Sequence, residues 1–179
     1  MSLERLWAGW RAEYLDGPAT APLDGATNLP AGSDCVFCGL GEAEDLDQAM
    51  IVAHEGPVYV VLNAYPYVSG HLLIVPRRHE GELDGLTPEE SAGVLASTQR
   101  ATTALKAAYR PDGINVGINL GRAAGAGLPG HLHVHVLPRW YGDTNFLTSV
   151  AEARILPESL SRTLERVKAA WPPLASDSS

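Results

Sequence analysis

The chain has 179 residues, of which 45% are hydrophobic and 19% charged, the proportions of one globular domain with a substantial core. Its formal net charge of -8 argues against a general nucleic-acid binder, which needs a basic face to displace counterions. A small anionic nucleotide is compatible with this charge, because a local site holds it. No apolar run approaches the roughly 20 residues of a membrane span, and the N-terminus lacks a basic-then-apolar secretory pattern. We therefore expect a cytoplasmic protein that binds neither nucleic acid nor membrane.

The N-terminal part of the chain contains a helical pattern, a linker pattern and a cysteine pair. Leu3 to Leu15 has apolar residues at helical spacing, which predicts a short amphipathic helix. Gly17 to Ser33 has no apolar period and is predicted to be a flexible linker, poorly ordered or irregular in path, within a single domain over residues 1–179. The spacing of Cys35 and Cys38 indicates a metal site or a redox pair before a structural disulfide.

Strand-like segments follow the cysteines. Ala49 to Ala53 and Pro57 to Asn63 are predicted strands, joined by a turn at His54-Glu55-Gly56. A loop over Tyr65 to Gly70 leads into a third predicted strand, His71 to Val75, which the next residue, a proline, ends.

A strong helix start lies at Thr87-Pro88-Glu89-Glu90, where a capping threonine, a proline at the first helical position and a glutamate three residues after the cap form a capping box. The helix is predicted to run to about Tyr109. We expect Val94, Leu95 and Leu105 on its buried side.

Two more strands are predicted at Gly113 to Leu120 and His131 to Arg139, separated by a flexible glycine-rich turn from Gly121 to Gly127. A final amphipathic helix precedes a polar tail over residues 172–179; its apolar residues are Leu156, Leu160, Leu164, Val167 and Trp171. Consecutive strands joined by short turns, with helices outside the run, predict an α+β domain on an antiparallel sheet.

The segment that carries the chemistry contains three alternating histidines, His131, His133 and His135, which make up half of the six histidines in the chain. Successive side chains of a strand point to opposite faces of its sheet, so the three imidazoles are predicted to share one face, with neighbours roughly 6.6 Å apart along the strand. Leu132, Val134 and Val136 then face the core. This pattern predicts a row of imidazoles held rigidly at a surface.

An imidazole is both a nucleophile near neutral pH and a proton carrier, so such a row suits phosphoryl or nucleotidyl transfer. A metal-binding or accidental histidine cluster is the alternative interpretation. A metal site made by the row itself requires all three rings to converge on one ion, which a regular strand makes difficult.

The alternation of histidine with aliphatic residues resembles the signature of the histidine-triad superfamily of nucleotide hydrolases and transferases. The resemblance extends over about Leu3 to Trp171, and it includes a Gly-His-aliphatic-Pro-basic segment from Gly70 to His79. The helix around Leu6 to Tyr14 and the segment Gly142 to Phe146 are similar to a bacterial branch that includes diadenosine tetraphosphate phosphorylases.

The resemblance implies a role for each matching residue. His133 is the expected nucleophile on the α-phosphorus, with its ring oriented by the backbone carbonyl of His131. His135 and His71 are expected to donate hydrogen bonds to phosphate oxygens. On the substrate side the resemblance places the ribose at Asn63 and the phosphates at Asn119 and at backbone N–H groups of the glycine-rich loop, Gly125 to Gly127.

One segment departs from the family pattern. Many hydrolases of the family carry a polar Gln or Ser pair shortly before the triad, in contact with the leaving group, whereas this chain has Gly127-Leu128-Pro129-Gly130. Stabilisation of the leaving group must come from other residues, so the sequence leaves open both the polyphosphate length and the choice of water or phosphate as acceptor.

The resemblance also implies a structural zinc site. Related zinc-bearing members use two cysteines, the histidine that follows the Pro-basic-basic segment and the first triad histidine, which correspond here to Cys35, Cys38, His79 and His131. The alternative is a pair of reduced thiols without metal.

These observations together predict an α+β histidine-triad enzyme, forming a homodimer or higher homo-oligomer, that splits a nucleotide or dinucleoside polyphosphate through a nucleotidyl-His133 intermediate. The alternative from another functional class is a non-catalytic nucleotide-binding or regulatory module that retains the fold.

Overall fold

A computed structural model describes residues 35–143 and 158–173. Five antiparallel strands form one open sheet in the order β1-β2-β3-β5-β4, and the helices flank it, as the predicted α+β class requires. The elements in chain order are α1 (Val36–Gly41), β1 (Ile51–Glu55), β2 (Val58–Leu62), β3 (Leu72–Pro76), α2 (Pro88–Tyr109), β4 (Gly113–Ile118), a 3-10 turn (Arg122–Ala124), β5 (Val134–Arg139) and α3 (Leu160–Ala169).

Each face of the sheet is covered by apolar residues. The larger core packs α2 and α3 against one face and includes Leu132, Val134 and Val136, as the alternation predicted. A smaller cluster on other strand residues includes Phe37 of α1 and the fully buried Tyr59 of β2. All five residues of β2 and all five of β3 are buried, since these strands lie inside the sheet with cover on both sides.

Helix α2 begins as predicted. Thr87 accepts from the backbone N–H of Glu90 and its own N–H is bound by the Glu90 side chain, which completes the capping box. Val94 and Leu105 are buried, but the expectation for Leu95 is wrong: this side chain is 62% exposed. A residue one position after Val94 lies about 100° around the helix, outside the buried stripe.

The number and order of the strands were predicted correctly, but several of the predicted first and last residues differ from those of the structure. The first strand begins at Ile51 and includes His54 and Glu55, so the predicted turn is displaced to Gly56 and Pro57. Pro76 belongs to β3 instead of ending it, and β4 stops at Ile118.

Gly70 sets the entry into β3 and holds a positive φ of +83°. A Cβ at this position would lie 2.9 Å from the ring of Tyr109 and 3.1 Å from side-chain atoms of Leu105 and Pro138. Only glycine lets the loop approach α2 and β5 this closely, and His71 follows immediately.

Helix α3 ends at Ala169, two residues before Trp171, and buries Leu164 and Val167 against the sheet. The Trp171 indole donates to the Glu55 carboxylate at 2.9 Å, which ties the end of this segment to β1. The predicted N-terminal helix, the linker over residues 17–33, Leu156 and most of the polar tail lie outside the described residues. Within residues 35–143 and 158–173, no helix has the length and apolar character to cross a membrane.

Candidate active site and metal centre

The triad segment runs into β5, the strand that lies between β3 and β4. The predicted strand began at His131, but β5 begins at Val134. The backbone N–H of Leu132 instead donates to the carbonyl of Glu80 at 2.6 Å, so the first half of the triad is held by the loop after β3. The three imidazoles still lie opposite the core-facing aliphatic residues.

The triad is more buried than a surface row. His131 is 1% and His133 8% exposed, while His135 is of intermediate exposure. Phe37 of α1 accounts for part of this burial, because its ring centroid lies 5.5 Å from that of His131 and 5.0 Å from that of His133. The expectation of a row at the surface is therefore corrected: α1 covers its first two members.

The ring of His133 is oriented by its own segment. Its Nδ1 lies 2.9 Å from the backbone carbonyl oxygen of His131. A carbonyl only accepts, so Nδ1 carries the proton and donates, and Nε2 retains its lone pair. Burial lowers the pKa of His133, the His131 carbonyl opposes this shift, and the charge of His131 adds to the lowering. The neutral imidazole is thus favoured near pH 7, as a nucleophile requires.

His135 of β5 pairs with His71, the residue immediately before β3. Nε2 of His71 and Nδ1 of His135 are 2.9 Å apart, and the two ring centroids 5.1 Å. Burial, followed by the charge of His133, lowers the pKa of His135 to about 4, so this ring is neutral near pH 7. Nε2 of His135 is buried and has no hydrogen-bond partner among the described residues.

This pairing bears on the expectation for His71, which is 1% exposed. Both ring nitrogens of His71 have partners inside the protein, Nε2 with His135 and Nδ1 with the backbone N–H of Tyr67. Donation from His71 to a phosphate oxygen stays a prediction. The aromatic ring of Tyr67 covers the pair, with ring centroids 4.7 Å from His71 and 6.1 Å from His135.

Asn63, expected at the ribose, uses both ends of its amide inside the protein. Its Oδ1 accepts from the backbone N–H of Tyr65 at 2.9 Å, and its Nδ2 lies 3.2 Å from Nδ1 of His71. The backbone N–H of Tyr67 also donates to this Nδ1, at 3.2 Å. The structure therefore joins Asn63 to the histidine pair.

The glycine-rich loop, predicted to hold phosphates, has part of its own backbone hydrogen-bonded within the loop. Asn119 reaches the loop, with its Nδ2 3.5 Å from the carbonyl of Gly125. The N–H of Gly125 donates to the carbonyl of Arg122 at 2.9 Å, so the 3-10 turn engages one of the expected phosphate donors. Gly127 is exposed at the end of the loop.

The four residues expected to bind zinc come together, although Cys35 and His131 are 96 positions apart. Cys35, Cys38, His79 and His131 each offer one ligand atom, and these atoms lie within 4.8 Å of one another. Nδ1 of His131 is 3.3 Å from Sγ of Cys35 and 3.6 Å from Sγ of Cys38, and Nδ1 of His79 is 3.2 Å from Sγ of Cys38. Sulfur and nitrogen ligands of a tetrahedral zinc are separated by about 3.5 Å. The residues therefore fit the ion.

The surroundings of the cluster also suit a metal. Nε2 of His131 is 2.8 Å from the carbonyl of Pro76 and can donate to it, so a metal bound at Nδ1 would leave the ring this second hydrogen bond. Burial raises the pKa of the Cys35 thiol, but hydrogen bonds from His131 and Cys38 outweigh it and lower the pKa to about 6. One thiolate is already favoured. Burial and the charge of Cys35 raise the pKa of Cys38 to about 11, because two adjacent thiolates repel.

The described residues contain one group of this kind, and it takes only His131 from the triad. This arrangement disfavours the interpretation in which the histidine row itself binds a metal. His131 belongs to both centres: its ring enters the cysteine cluster, and its carbonyl orients the ring of His133.

An α+β sheet that carries an alternating histidine triad, with the histidine that precedes the neighbouring strand beside it, defines the class of histidine-triad proteins. Comparison with known proteins agrees. A model of the HIT domain matches residues 46–141, and the chain belongs to the HIT family.

Relatives and solved structures support this assignment. A protein of Mycobacterium tuberculosis named AP-4-A phosphorylase is 43% identical over 169 residues, which cover 94% of this chain and 85% of that protein. A zinc-bound histidine triad family protein from Mycobacterium smegmatis has a similar structure, with a TM-score of 0.61 and 31% identity over 76% of this chain and 91% of the other. A hypothetical histidine triad nucleotide-binding protein from Sulfolobus tokodaii also has a TM-score of 0.61, at 25% identity, over 76% and 91% of the two chains.

Two residues at the site were missed in the sequence. Phe37 lies between the two cysteines and packs on the triad, and Tyr67 covers the His71–His135 pair. Each is an aromatic residue inside a segment already singled out, and that position was the available signal.

Proposed function

We propose that the protein cleaves a dinucleoside polyphosphate at the α-phosphorus, with Nε2 of His133 as the nucleophile. The single observation that carries this proposal is the 2.9 Å contact between Nδ1 of His133 and the carbonyl of His131, because it leaves the lone pair of Nε2 available. This nitrogen accepts no hydrogen bond from residues 35–143 or 158–173.

The reaction then proceeds in two displacements at the same phosphorus. Nε2 of His133 forms a bond to the α-phosphorus, and the bond to the bridging oxygen breaks, so the remaining nucleotide leaves with the electron pair. Water or inorganic phosphate then attacks the nucleotidyl-histidine and returns the bonding pair to Nε2. The N–H at Nε2 of His135, whose ring centroid is 5.0 Å from that of His133, is the donor we assign to a phosphate oxygen.

We favour phosphate as the acceptor, since the relative that shares 43% identity over 94% of this chain is named a phosphorylase. Diadenosine tetraphosphate would then give ATP from the first displacement and ADP from the second. If water is the acceptor, the second product is AMP.

Product analysis with diadenosine tetraphosphate tests both parts of the proposal. With isotopically labelled inorganic phosphate, we expect ATP and ADP, the label in ADP alone, and turnover that depends on phosphate. AMP formed at the same rate without phosphate would identify a hydrolase. Binding of the dinucleotide without any product would instead support the non-catalytic nucleotide-binding module.

We also propose that Cys35, Cys38, His79 and His131 hold a structural zinc ion. The ion would supply a four-ligand crosslink between the start of the domain, the loop after β3 and the triad. With four protein ligands it leaves no open position for water, so it takes no part in the bond changes.

We further propose that two copies of the chain associate along β4. This strand lies at the edge of the sheet, and only Ile114 and Ile118 of its residues are even partly buried. Val116 is 52% exposed on it. An exposed edge of this kind pairs readily with a second strand. Light scattering should give a dimer, and Val116→Lys should shift it toward the monomer; a monomeric parent protein contradicts the proposal.

A further inference from the structure

Two backbone N–H groups in the loop before β3 determine which end of the Asn63 amide is the oxygen and which ring nitrogen of His71 is the acceptor. A backbone N–H can only donate. The N–H of Tyr65 therefore places the oxygen of the Asn63 amide toward itself, at 2.9 Å, and directs the NH₂ end toward His71. The N–H of Tyr67 likewise requires Nδ1 of His71 to be an acceptor, at 3.2 Å.

These two donors determine the proton positions of the histidine pair. Nδ1 of His71 accepts from the backbone N–H of Tyr67, and it is the nearer of the two ring nitrogens to Nδ2 of Asn63, at 3.2 Å against 3.5 Å for Nε2. The neutral ring therefore carries its proton on Nε2. That N–H donates to Nδ1 of His135 at 2.9 Å, so the neutral His135 must carry its proton on Nε2. The chain of hydrogen bonds therefore ends in a buried N–H group with no partner among the described residues.

We propose that Asn63 is a positioning residue, which holds His71 in one tautomer and through it keeps a proton on Nε2 of His135. The inference rests on the proposed function, in which this N–H donates to a phosphate oxygen of the substrate. Because the chain of hydrogen bonds is fixed at the loop, Nε2 of His135 always carries a proton that it can donate. The other tautomer of His135 would present a lone pair to an anionic phosphate oxygen.

Burial supports this arrangement. His71 is 1% exposed and lies beneath the ring of Tyr67, so water competes little for its nitrogens. In such surroundings a hydrogen bond is stronger and the bonds of a chain reinforce one another. His133 has the opposite tautomer, with its proton on Nδ1, because its partner is a carbonyl. Nε2 of His133 is thus a lone-pair acceptor, and Nε2 of the neighbouring His135 is a hydrogen-bond donor.

The first test measures tautomers directly in the substrate-free protein. Two-bond ¹H–¹⁵N correlation spectra of ¹⁵N-histidine-labelled protein at pH 8 distinguish a proton on Nδ1 from one on Nε2. In the parent chain we expect Nε2–H for His71 and His135, and Nδ1–H for His133. A proton on Nδ1 of His135 overturns the proposal, whatever the variants do.

The second test compares Asn63→Ala with the parent chain. In the variant we expect the second tautomer of His71 and of His135 to become detectable. We expect kcat to fall about tenfold and KM to change less than about twofold, because the hydrogen bond that is lost stabilises the transition state more than the bound substrate. If Asn63 serves only to bind ribose, KM rises, kcat is maintained and the tautomers are unchanged, which overturns the proposal. An unchanged variant also overturns it.

Two further variants complete the experiment. Asn63→Gln keeps an amide but moves it by one methylene, and it should reproduce the tautomer mixture if Asn63→Ala folds poorly. Gln99→Ala is the control: Gln99 is an exposed amide residue on α2, outside the triad segment and outside β4, and its replacement should alter neither tautomers nor kinetics. If the parent chain shows the expected tautomers but no turnover, the proposed function and the catalytic role of Asn63 are both overturned. The tautomer assignment alone is then retained.

Discussion

The Cys–His cluster proposed to bind zinc gives a prediction whose magnitude follows from the packing around α1. Replacement of Cys35 and Cys38 by serine removes both thiolate ligands, and we expect the metal to be lost and the six-residue helix α1 to detach from the sheet. Phe37, 5% exposed, then loses its buried site. The Tyr59 hydroxyl, which donates to the Phe37 carbonyl at 2.6 Å, loses its partner.

The cost is estimated from these two losses. Exposing a buried phenylalanine costs about 1.5–3 kcal/mol, and loss of one hydrogen bond about 1 kcal/mol. Their sum, about 3 kcal/mol, corresponds in a chain of this length to a fall in Tm of roughly 6–12 °C. Turnover should decrease only indirectly, through loosening of the His131 carbonyl that orients His133.

Elemental analysis and thermal melts check this prediction, with protein purified without chelator. The parent chain should carry about one zinc per chain, and the double variant none. A matched pair of histidine variants serves as control, because His54 and His79 are both exposed and only His79 is in the cluster. His79→Ser should release the metal, whereas His54→Ser should retain it. A metal-free parent, or a double variant that melts within about 1 °C of it, would refute the reasoning.

Three further predictions concern single residues. His133→Ala should lower turnover by several orders of magnitude while the circular dichroism spectrum and nucleotide binding persist; a loss within about tenfold contradicts its assignment as nucleophile. The Glu90 carboxylate forms an ion pair with Arg78 and accepts from the backbone N–H of Thr87. These two contacts lower the pKa of Glu90 from 4.5 to about 2. Its stabilising effect is therefore complete above about pH 4.5 and is lost as the pH falls toward 2, so the difference in urea midpoint between Glu90→Gln and the parent should narrow over that range; a constant difference contradicts the ion pair. Gly70→Ala, with a Cβ 2.9 Å from Tyr109 at a φ of +83°, should destabilise the chain by about 2 kcal/mol or more in urea unfolding, and an unchanged midpoint would refute the close approach.

The fold was predictable from the sequence to the extent that its signals are local. The capping box at Thr87 and Glu90 involves residues three positions apart, and it was found at its predicted place. The alternation after His131 correctly assigned Leu132, Val134 and Val136 to the core, because the period of two follows from extended backbone alone.

The errors occurred where tertiary contacts override a local pattern. Leu95 is apolar and helical but lies about 100° around the helix from Val94, and packing against the sheet decides which of these two sides is buried. The strand expected from His131 begins at Val134, because the N–H of Leu132 binds the carbonyl of Glu80, which belongs to a distant loop.

The sequence by itself determined the candidate site residues: the three alternating histidines and the cysteine pair are visible as spacing. Only the tertiary structure decided how they are combined. It placed the ring of His131 against Cys35 and its carbonyl against the ring of His133, and it paired Nδ1 of His135 with His71. The physical reason is that ligand and hydrogen-bond distances depend on placement to within a few tenths of an ångström, and packing between elements far apart in the chain produces that placement.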